Sequence, residues 1–288
     1  MTLTRHRWLS ISNPIPPEAI CAPEPYQIDY LFKVADSSEE LLEAYHLLYH
    51  EYIQAGYVGE NRNQLLFTKH HLLPKTTVLV AKSEITTLST ATLVRDSGHF
   101  GLPMDELYSK ELSTLRKQKR KIMEVCSLAS SRMNFSRIGI QNFTRLLFLY
   151  CVFLDIDDVC VMVNPKHVSL YQRLCELEIF GEEKYYPRVN APAVALRADV
   201  RTVREKLRHK GLASSYPEKL ISHYLALNIG LCSEIVDTFK KGPTLRSHNN
   251  PLDAHLLNLM LSNMCDSLKD LSEECKNLLN TAYSDLLF

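Results

Sequence analysis

The feature that most narrows the folds open to this chain is a carboxylate inside an apolar strand. In IMEVCSLA, Ile122 to Ala129, Glu124 sits among residues that belong in a core. An ionised carboxyl at that depth costs several kcal/mol unless it is paired or put to chemical use. The approach to it is equally directive. Thr86 to Arg95 has strand composition with a polar edge at Thr90 and Thr92, and leads through Asp96 into the hinge-like GLPMDELY of 101–108. A basic stretch at 116–121 then feeds straight into the strand that carries Glu124. Two readings compete for that carboxylate: a general base with raised proton affinity, or a structural ion pair with Arg95 or a neighbouring basic residue.

The remaining periodicities predict a mixed α/β layout. Tyr26 to Val34 reads as a first strand. Ser37 with Glu40 predicts a capping box, and the helix behind it sets Leu41, Tyr45, Leu48, Tyr49 and Tyr52 on one face before Gly56 ends it. Thr76 to Lys82 and Thr86 to Arg95 read as antiparallel neighbours turning at Ser83 and Glu84. There follow a polar helix at Asp105 to Lys119, a strand at Lys121 to Ala129, and a buried helix at Asn142 to Leu154. A short central strand at Val159 to Val163, a helix at Val168 to Leu177 and a closing strand at Ala193 to Arg197 complete this part. Residues 1–25, with five prolines, read as an extended arm. Beyond residue 200 strand signals vanish, and Leu-rich helical periodicity in Pro217 to Phe239 and Pro251 to Phe288 predicts a helical extension around the turn segment KKGPTLRSHNNP.

Composition limits the partners. Lys plus Arg and Asp plus Glu balance at 33 each in 288 residues, so no global field draws the chain to nucleic acid, and a charge-driven partner must use a local patch. The eight cysteines show no paired spacing, which points to a reducing cytoplasm without a disulfide framework or zinc knuckle. The longest apolar segment, Leu146 to Leu154, is closed off by Arg145 and Asp155 at about half a membrane span, so a soluble protein without a transmembrane segment is expected. His70-His71 and the pair His46, His50 lack a carboxylate or Cys at ligand spacing, and no metal is expected.

From Tyr26 to Val200 the chain resembles the N-acyl amino acid synthases, a long-chain acyltransferase branch of the GNAT superfamily that is also similar to acyl-homoserine-lactone synthases. The resemblance rests on AYHLLYHEYIQAGYV, HHLLPKTTVLVAK, TATLVRDS with FGLPMDELY, ELSTLRKQKRKIMEVCSLA, DIDDVCVMVNPKHVSLYQRL and GEEKYYPRVNAPAVALRAD, six blocks in the family's order. It implies a GNAT-type fold over 26–200 with two central strands splayed apart to take a pantetheine arm. It also implies an acyl-phosphopantetheine thioester as donor, on acyl-carrier protein or coenzyme A, with an amino acid as acceptor and no tightly bound cofactor. The chain departs from the family's pattern at Ser89, where Gly is usual, and at Glu176-Leu177, where a Gly-Phe pair is usual. Asn134 to Gly139, NFSRIG, keeps only the last Gly of the loop that cradles a pyrophosphate, which favours a carrier-protein donor whose arm ends in a single phosphodiester.

Amide formation from a thioester needs a base for the amine, a donor for the oxyanion and a proton for the leaving thiolate. Glu124 is the candidate base. Tyr171 occupies the position where the superfamily often has a thiol-protonating Tyr; a packing contact of its helix is the competing reading. Asn164 and His167 flank a Pro at a strand end, where they could bind the acceptor's carboxylate or the thioester carbonyl, or simply shape a turn. Ser127 and Leu128 follow Glu124 on the same strand and are expected to line the substrate groove. Arg116, Lys117, Lys119, Arg120 and Lys121 form a basic cluster that could dock an acidic carrier protein or be a solvated face. The expected reaction is long-chain N-acylation of an amino acid. Two alternatives stand beside it: a lactone-forming signal synthase, disfavoured by Ser127 where those enzymes carry Arg, and a non-catalytic module that binds acyl carriers.

Overall fold

A computed structural model describes residues 30–84, 86–98, 100–207, 216–227, 229–242, 252–264 and 271–283. The expected arm of 1–25 and most of the turn segment lie outside the described residues. The elements run β1 Tyr30–Val34, α1 Ser38–Gln54, β2 Thr77–Ser83, β3 Thr86–Arg95, α2 Asp105–Lys117, β4 Ile122–Ser130, α3 Arg137–Phe153, β5 Asp158–Val163 and α4 Val168–Cys175. They continue with β6 Glu178–Tyr186, β7 Ala191–Asp199, α5 Val200–Leu207, α6 Tyr216–Ala226, β8 Ile229–Leu231, α7 Ser233–Lys241, α8 Ala254–Asn263 and α9 Glu273–Ala282.

The strands form one open mixed sheet in the order β6-β7-β5-β4-β3-β2-β1-β8. Strands β1 to β4 are antiparallel neighbours, and α3 carries the chain over from β4 to a parallel β5. Period-two alternation divides the side chains between two cores. Leu79, Ala81, Met123, Val125, Val159 and Val161 meet α3 on one face. Val78, Val80, Val94, Ile122 and Cys160 meet α1 and α2 on the other. The mixed α/β fold expected from the resemblance is therefore present.

Local chemistry explains most elements. Ser37 caps α1 as expected, its hydroxyl accepting the Glu40 N–H at 3.3 Å. The reciprocal half of the box is displaced. Glu40 accepts from the Asp36 N–H and forms ion pairs with Lys33 and Lys82, which draw its carboxylate back over the strands. Helix α3 starts earlier than its apolar run, because Ser136 caps it by accepting the Gly139 N–H at 2.9 Å.

Two strands escape the periodicity reading. β6 is an edge strand, EIFGEEKYY, whose register against β7 shifts around Gly181, so alternation is lost and Glu and Lys shield the free edge. β7, expected to close the sheet, is therefore interior. Past residue 200, β8 pairs in parallel with β1, so that stretch is not free of strands. Tyr224, Ile235 and Phe239 enter one core, and Leu256, Met260 and Leu279 the other. Asp253 N–H donates to the Ser38 hydroxyl, and the Tyr283 hydroxyl donates to the Leu72 carbonyl.

The N-terminal end of α2 is clamped to the β6–β7 ribbon. The Tyr108 hydroxyl lies 2.9 and 2.8 Å from the Glu182 and Ala193 carbonyls, and its ring lies so close to Gly181 that a Cβ there would come within 2.6 Å of it. The Lys184 ammonium donates to the Leu107 carbonyl. Gly181→Ala should overpack this contact and cost about 1–3 kcal/mol, read as a lowered Tm.

Candidate active site

The β4–β5 ladder is short. Registered pairs run from Ile122↔Asp158 to Val125↔Val161 and then stop, although β4 continues to Ser130 and β5 to Val163. On its other side β4 stays paired to β3, but between Thr92↔Cys126 and Thr90↔Ala129 it spends Ser127 and Leu128 opposite a single residue of β3. Ser127 takes φ +52, the left-handed conformation that lets one residue be spent on a bulge. The bulge bends β4 away from β5, and past Val125 the two central strands part. Ser127 and Leu128, expected to line the groove, are the two bulge residues.

Glu124 lies one residue before the parting point and is 0% exposed. One carboxylate oxygen accepts the Met104 N–H at 2.8 Å; the other, Oε1, is buried without a partner. Burial pushes its pKa up, against the pull of the Met104 N–H and with a further push from Asp105, to about 8. The ion-pair reading fails on register. Val94 lies opposite Glu124, and Arg95 lies opposite Met123, so Arg95 belongs to the α3 face and Glu124 to the α2 face.

Cys126 follows on the same face, half-buried, its thiol raised by burial and by Glu124. The Tyr52 hydroxyl of α1 is raised by burial and then by Cys126, Tyr57 and Tyr186. The Tyr186 hydroxyl is raised by burial and Glu106, eased by Arg188, and raised again by Glu124 and Cys126. These side chains therefore lie close enough to feel one another's charge. Tyr171 comes from the other face: it packs against the α3 core, and its hydroxyl is raised by burial, Cys175 and Tyr52. Asn164 Oδ1 accepts the Lys166 N–H at 3.2 Å and so shapes the turn at the end of β5, where His167 is exposed. The periodicity reading assigned no role to Met104, Cys126, Tyr186 or Arg188, although all four lie in the quoted blocks. Only contact with Glu124 or its opening singles them out.

The basic run is dispersed. The Arg116 guanidinium spans Asp96 and Asp105, with bonds of 2.6 to 2.7 Å. Arg120 binds the buried Asp158 and, at 2.6 Å, Asp199, while Arg197 also reaches Asp158 at 2.6 Å. Lys121 pairs with Asp155 at 2.6 Å. Lys117 and Lys119 point to solvent. The run also precedes Ile122, at the paired end of β4, whereas the strands open beyond Val125. Three of its five cations thus secure the closed end of the sheet, which is the opposite end from the groove a carrier would feed.

The paired histidines have a structural task. His71 Nδ1 accepts the Thr68 N–H at 3.0 Å, which leaves Nε2, 3.1 Å from the Thr92 hydroxyl, to carry the proton. Burial holds its pKa down at about 4.

Comparison with known proteins decides the family. The profile of the N-acyl amino acid synthase FeeM matches residues 43–199, more than half of the chain. The chain belongs to this family. It is an acyltransferase. Among solved structures it is similar to FeeM, an N-acyl amino acid synthase from uncultured soil microbes, at 26% identity and a TM-score of 0.55, over 61% of this chain and 93% of that one. It shares its fold with BjaI, a CoA-dependent acyl-homoserine lactone synthase, at 11% identity and a TM-score of 0.51, over 76% of this chain and 97% of that one. Comparison with the curated proteins finds no match.

The departures at this synthase-family chain's loops now have a geometry. Glu176 caps α4 at φ +53, a conformation that Gly adopts without strain, and Leu177 behind it is buried. Ser89 bonds the Ala129 carbonyl and the Ser130 hydroxyl across the bulge.

Glu124→Gln should separate from the parent with pH. The folded carboxyl keeps its proton up to about 8, whereas the unfolded one releases it near 4.5. Its contribution is therefore complete below 4.5 and is lost as pH rises through that window. Chemical unfolding at pH 5 and 9 should shift in the variant's favour at the higher pH by at least about 1 kcal/mol. Arg120→Ala, which strips a partner from buried Asp158, should cost about 3 kcal/mol in the same assay, while Lys117→Ala with Lys119→Ala stays within about 0.5 kcal/mol.

Proposed function

We propose that this chain transfers a long fatty acyl group from a phosphopantetheine thioester to the α-amine of an amino acid, giving an N-acyl amino acid. The observation that carries this reading is Glu124, fully buried beside the parting strands, with one oxygen held by Met104 and the other unpartnered. Once ionised, which its pKa of about 8 places just above neutrality, this carboxylate is basic enough to take the proton that an ammonium acceptor must lose before it can attack.

The pantetheine arm lies in the gap beyond Val125↔Val161, where β4 has no ladder to β5 and its amides can pair with the arm. The amine nitrogen attacks the thioester carbonyl carbon. Glu124 Oε1 takes the ammonium proton before attack, directly or through a water, and releases it to solvent; after attack it takes the second nitrogen proton, while N–H groups at the Ser127 bulge stabilise the oxyanion. The C–S bond breaks as the carbonyl re-forms, and Tyr171, whose hydroxyl stays protonated at neutral pH, gives its proton to the thiolate and is reprotonated from solvent.

The donor is most naturally a carrier protein. In NFSRIG the Gly139 N–H is already taken by Ser136, and a Cβ on Gly139 would meet the Phe135 ring at 2.7 Å, so this loop has less to offer a pyrophosphate than an open glycine cradle. Carrier docking falls to this open end, where Arg132 and Arg137 flank Met133 and Ile138, which are 92% and 56% exposed. Among the described residues no helix is long and apolar enough to cross a membrane.

Mass spectrometry of lipid extracts from overproducing cells should show new N-acyl amino acids. With purified protein, Glu124→Gln should lower kcat by about two orders of magnitude or more at unchanged folding. New lactones would make the protein a signal synthase, no new amide would leave a carrier-binding module, and full activity in the variant would remove Glu124 from the mechanism.

A further inference from the structure

An amino acid acceptor brings a carboxylate one carbon away from its amine. Whatever binds that carboxylate must therefore sit at the same opening as the base, on the same face of the sheet. Glu124 opens to the α2 face, because it lies opposite Val94 and in register with Cys160, both of the α2-side core. Asn164 and His167 are placed otherwise: the Asn164 amide oxygen is taken by the Lys166 N–H, and His167 is exposed on the turn into α4. The acceptor's cation has to be sought elsewhere.

The topology puts one at the mouth. β4 and β5 part toward the Val163 end of β5, and β7 runs antiparallel to β5 with Val194 opposite Val163. The β6–β7 turn, residues 187–190, therefore lies at the same end of the sheet as the open gap. Arg188 stands on that turn. Its Nε donates to Glu106 of α2, two residues beyond Met104, whose N–H holds Glu124. Base, helix turn and guanidinium are thus joined by two hydrogen bonds and two residues of backbone. Arg188 uses only Nε in this contact; its terminal amino groups make no hydrogen bond to the described residues, and its side chain is 62% exposed.

Other cations on this face are committed or set back. Arg116 spans two aspartates, and Lys184 binds the Leu107 carbonyl and Glu111. Lys69 lies over the Phe100 ring behind His70. We infer that Arg188 is the carboxylate receptor for the acceptor: its free edge binds the α-carboxylate, Glu106 holds the guanidinium in place, and the α-amine is thereby delivered to Glu124 Oε1. Arg suits this task because its planar fork offers paired N–H donors to a carboxylate.

This inference rests on the N-acyl amino acid reading, and one assay separates the two. Purified full-length protein is given an acyl thioester with three matched acceptors: an amino acid, its carboxamide and the amine lacking the carboxyl carbon. Amide product and free thiol are both measured. The wild type should prefer the acid. Arg188→Ala should lower kcat/KM for the acid by about 10- to 100-fold, chiefly through KM, and change the carboxamide and amine by less than about threefold, with Arg188→Lys recovering part of the loss. Equal loss on all three acceptors would make Arg188 a structural residue, and an undiminished preference for the acid would exclude it; either result overturns the assignment while acyl transfer stands. If the wild type acylates none of the three, the acyl-transfer reading falls and this assignment falls with it.

Discussion

The structure depends on where β4 lets go of β5. Up to Val125↔Val161 the two strands are zipped in parallel register; beyond it, the Ser127 bulge turns β4 aside while its pairing to β3 resumes at Thr90↔Ala129. A parallel pair inside an eight-stranded sheet would ordinarily satisfy every peptide group. Ending the ladder early takes the later peptide groups of β4 and β5 out of pairing with each other. That is costly in an empty fold and useful in one that receives an extended, amide-bearing ligand. Both ends of the device are anchored: Arg120 and Arg197 close on Asp158 at the paired end, and Ser89 bonds across the bulge at the open one.

Glu124 depends on this geometry for its chemistry. Its carboxylate is deep enough to hold a proton, yet it escapes ion pairing because strand register sends Arg95 to the other face. The single N–H from Met104 fixes one oxygen and leaves the other for a ligand. That N–H is available because α2 begins there, and Tyr108 and Lys184 pin the helix's first turn to the β6–β7 ribbon. A polar edge ribbon thus positions the hydrogen bond that tunes a buried acid. The stretch past residue 200 contributes differently, adding β8 to one edge and apolar helix faces to both cores.

Much of the fold was legible in the residues. The α1 cap, the β2–β3 hairpin, the β4–α3–β5 crossover and the depth of Glu124 all follow from patterns local to a few residues, where periodicity and capping chemistry dominate. The misses have one cause. β6 is polar and bulged, so no alternation marks it, and β8 is only three residues long; each is a strand because a partner is waiting, not because of its own composition. The partners of the basic run were not legible for the related reason that charge in sequence says nothing of them: Asp96, Asp105, Asp155, Asp158 and Asp199 lie away from the run in the chain and beside it in space.

The sequence by itself determined the alternation that splits the sheet into two cores, the helix starts, the acidic residue in an apolar strand and the family blocks that surround it. These are properties of neighbours along the chain, and steric and hydrophobic preferences act on them directly. The tertiary structure alone decided that Glu124 has one free oxygen, that β4 and β5 part just past it, that most of the basic run serves the closed end, and that Arg188 stands at the open one. Each of these depends on strand register and on contacts between residues tens of positions apart, which only the assembled sheet brings together.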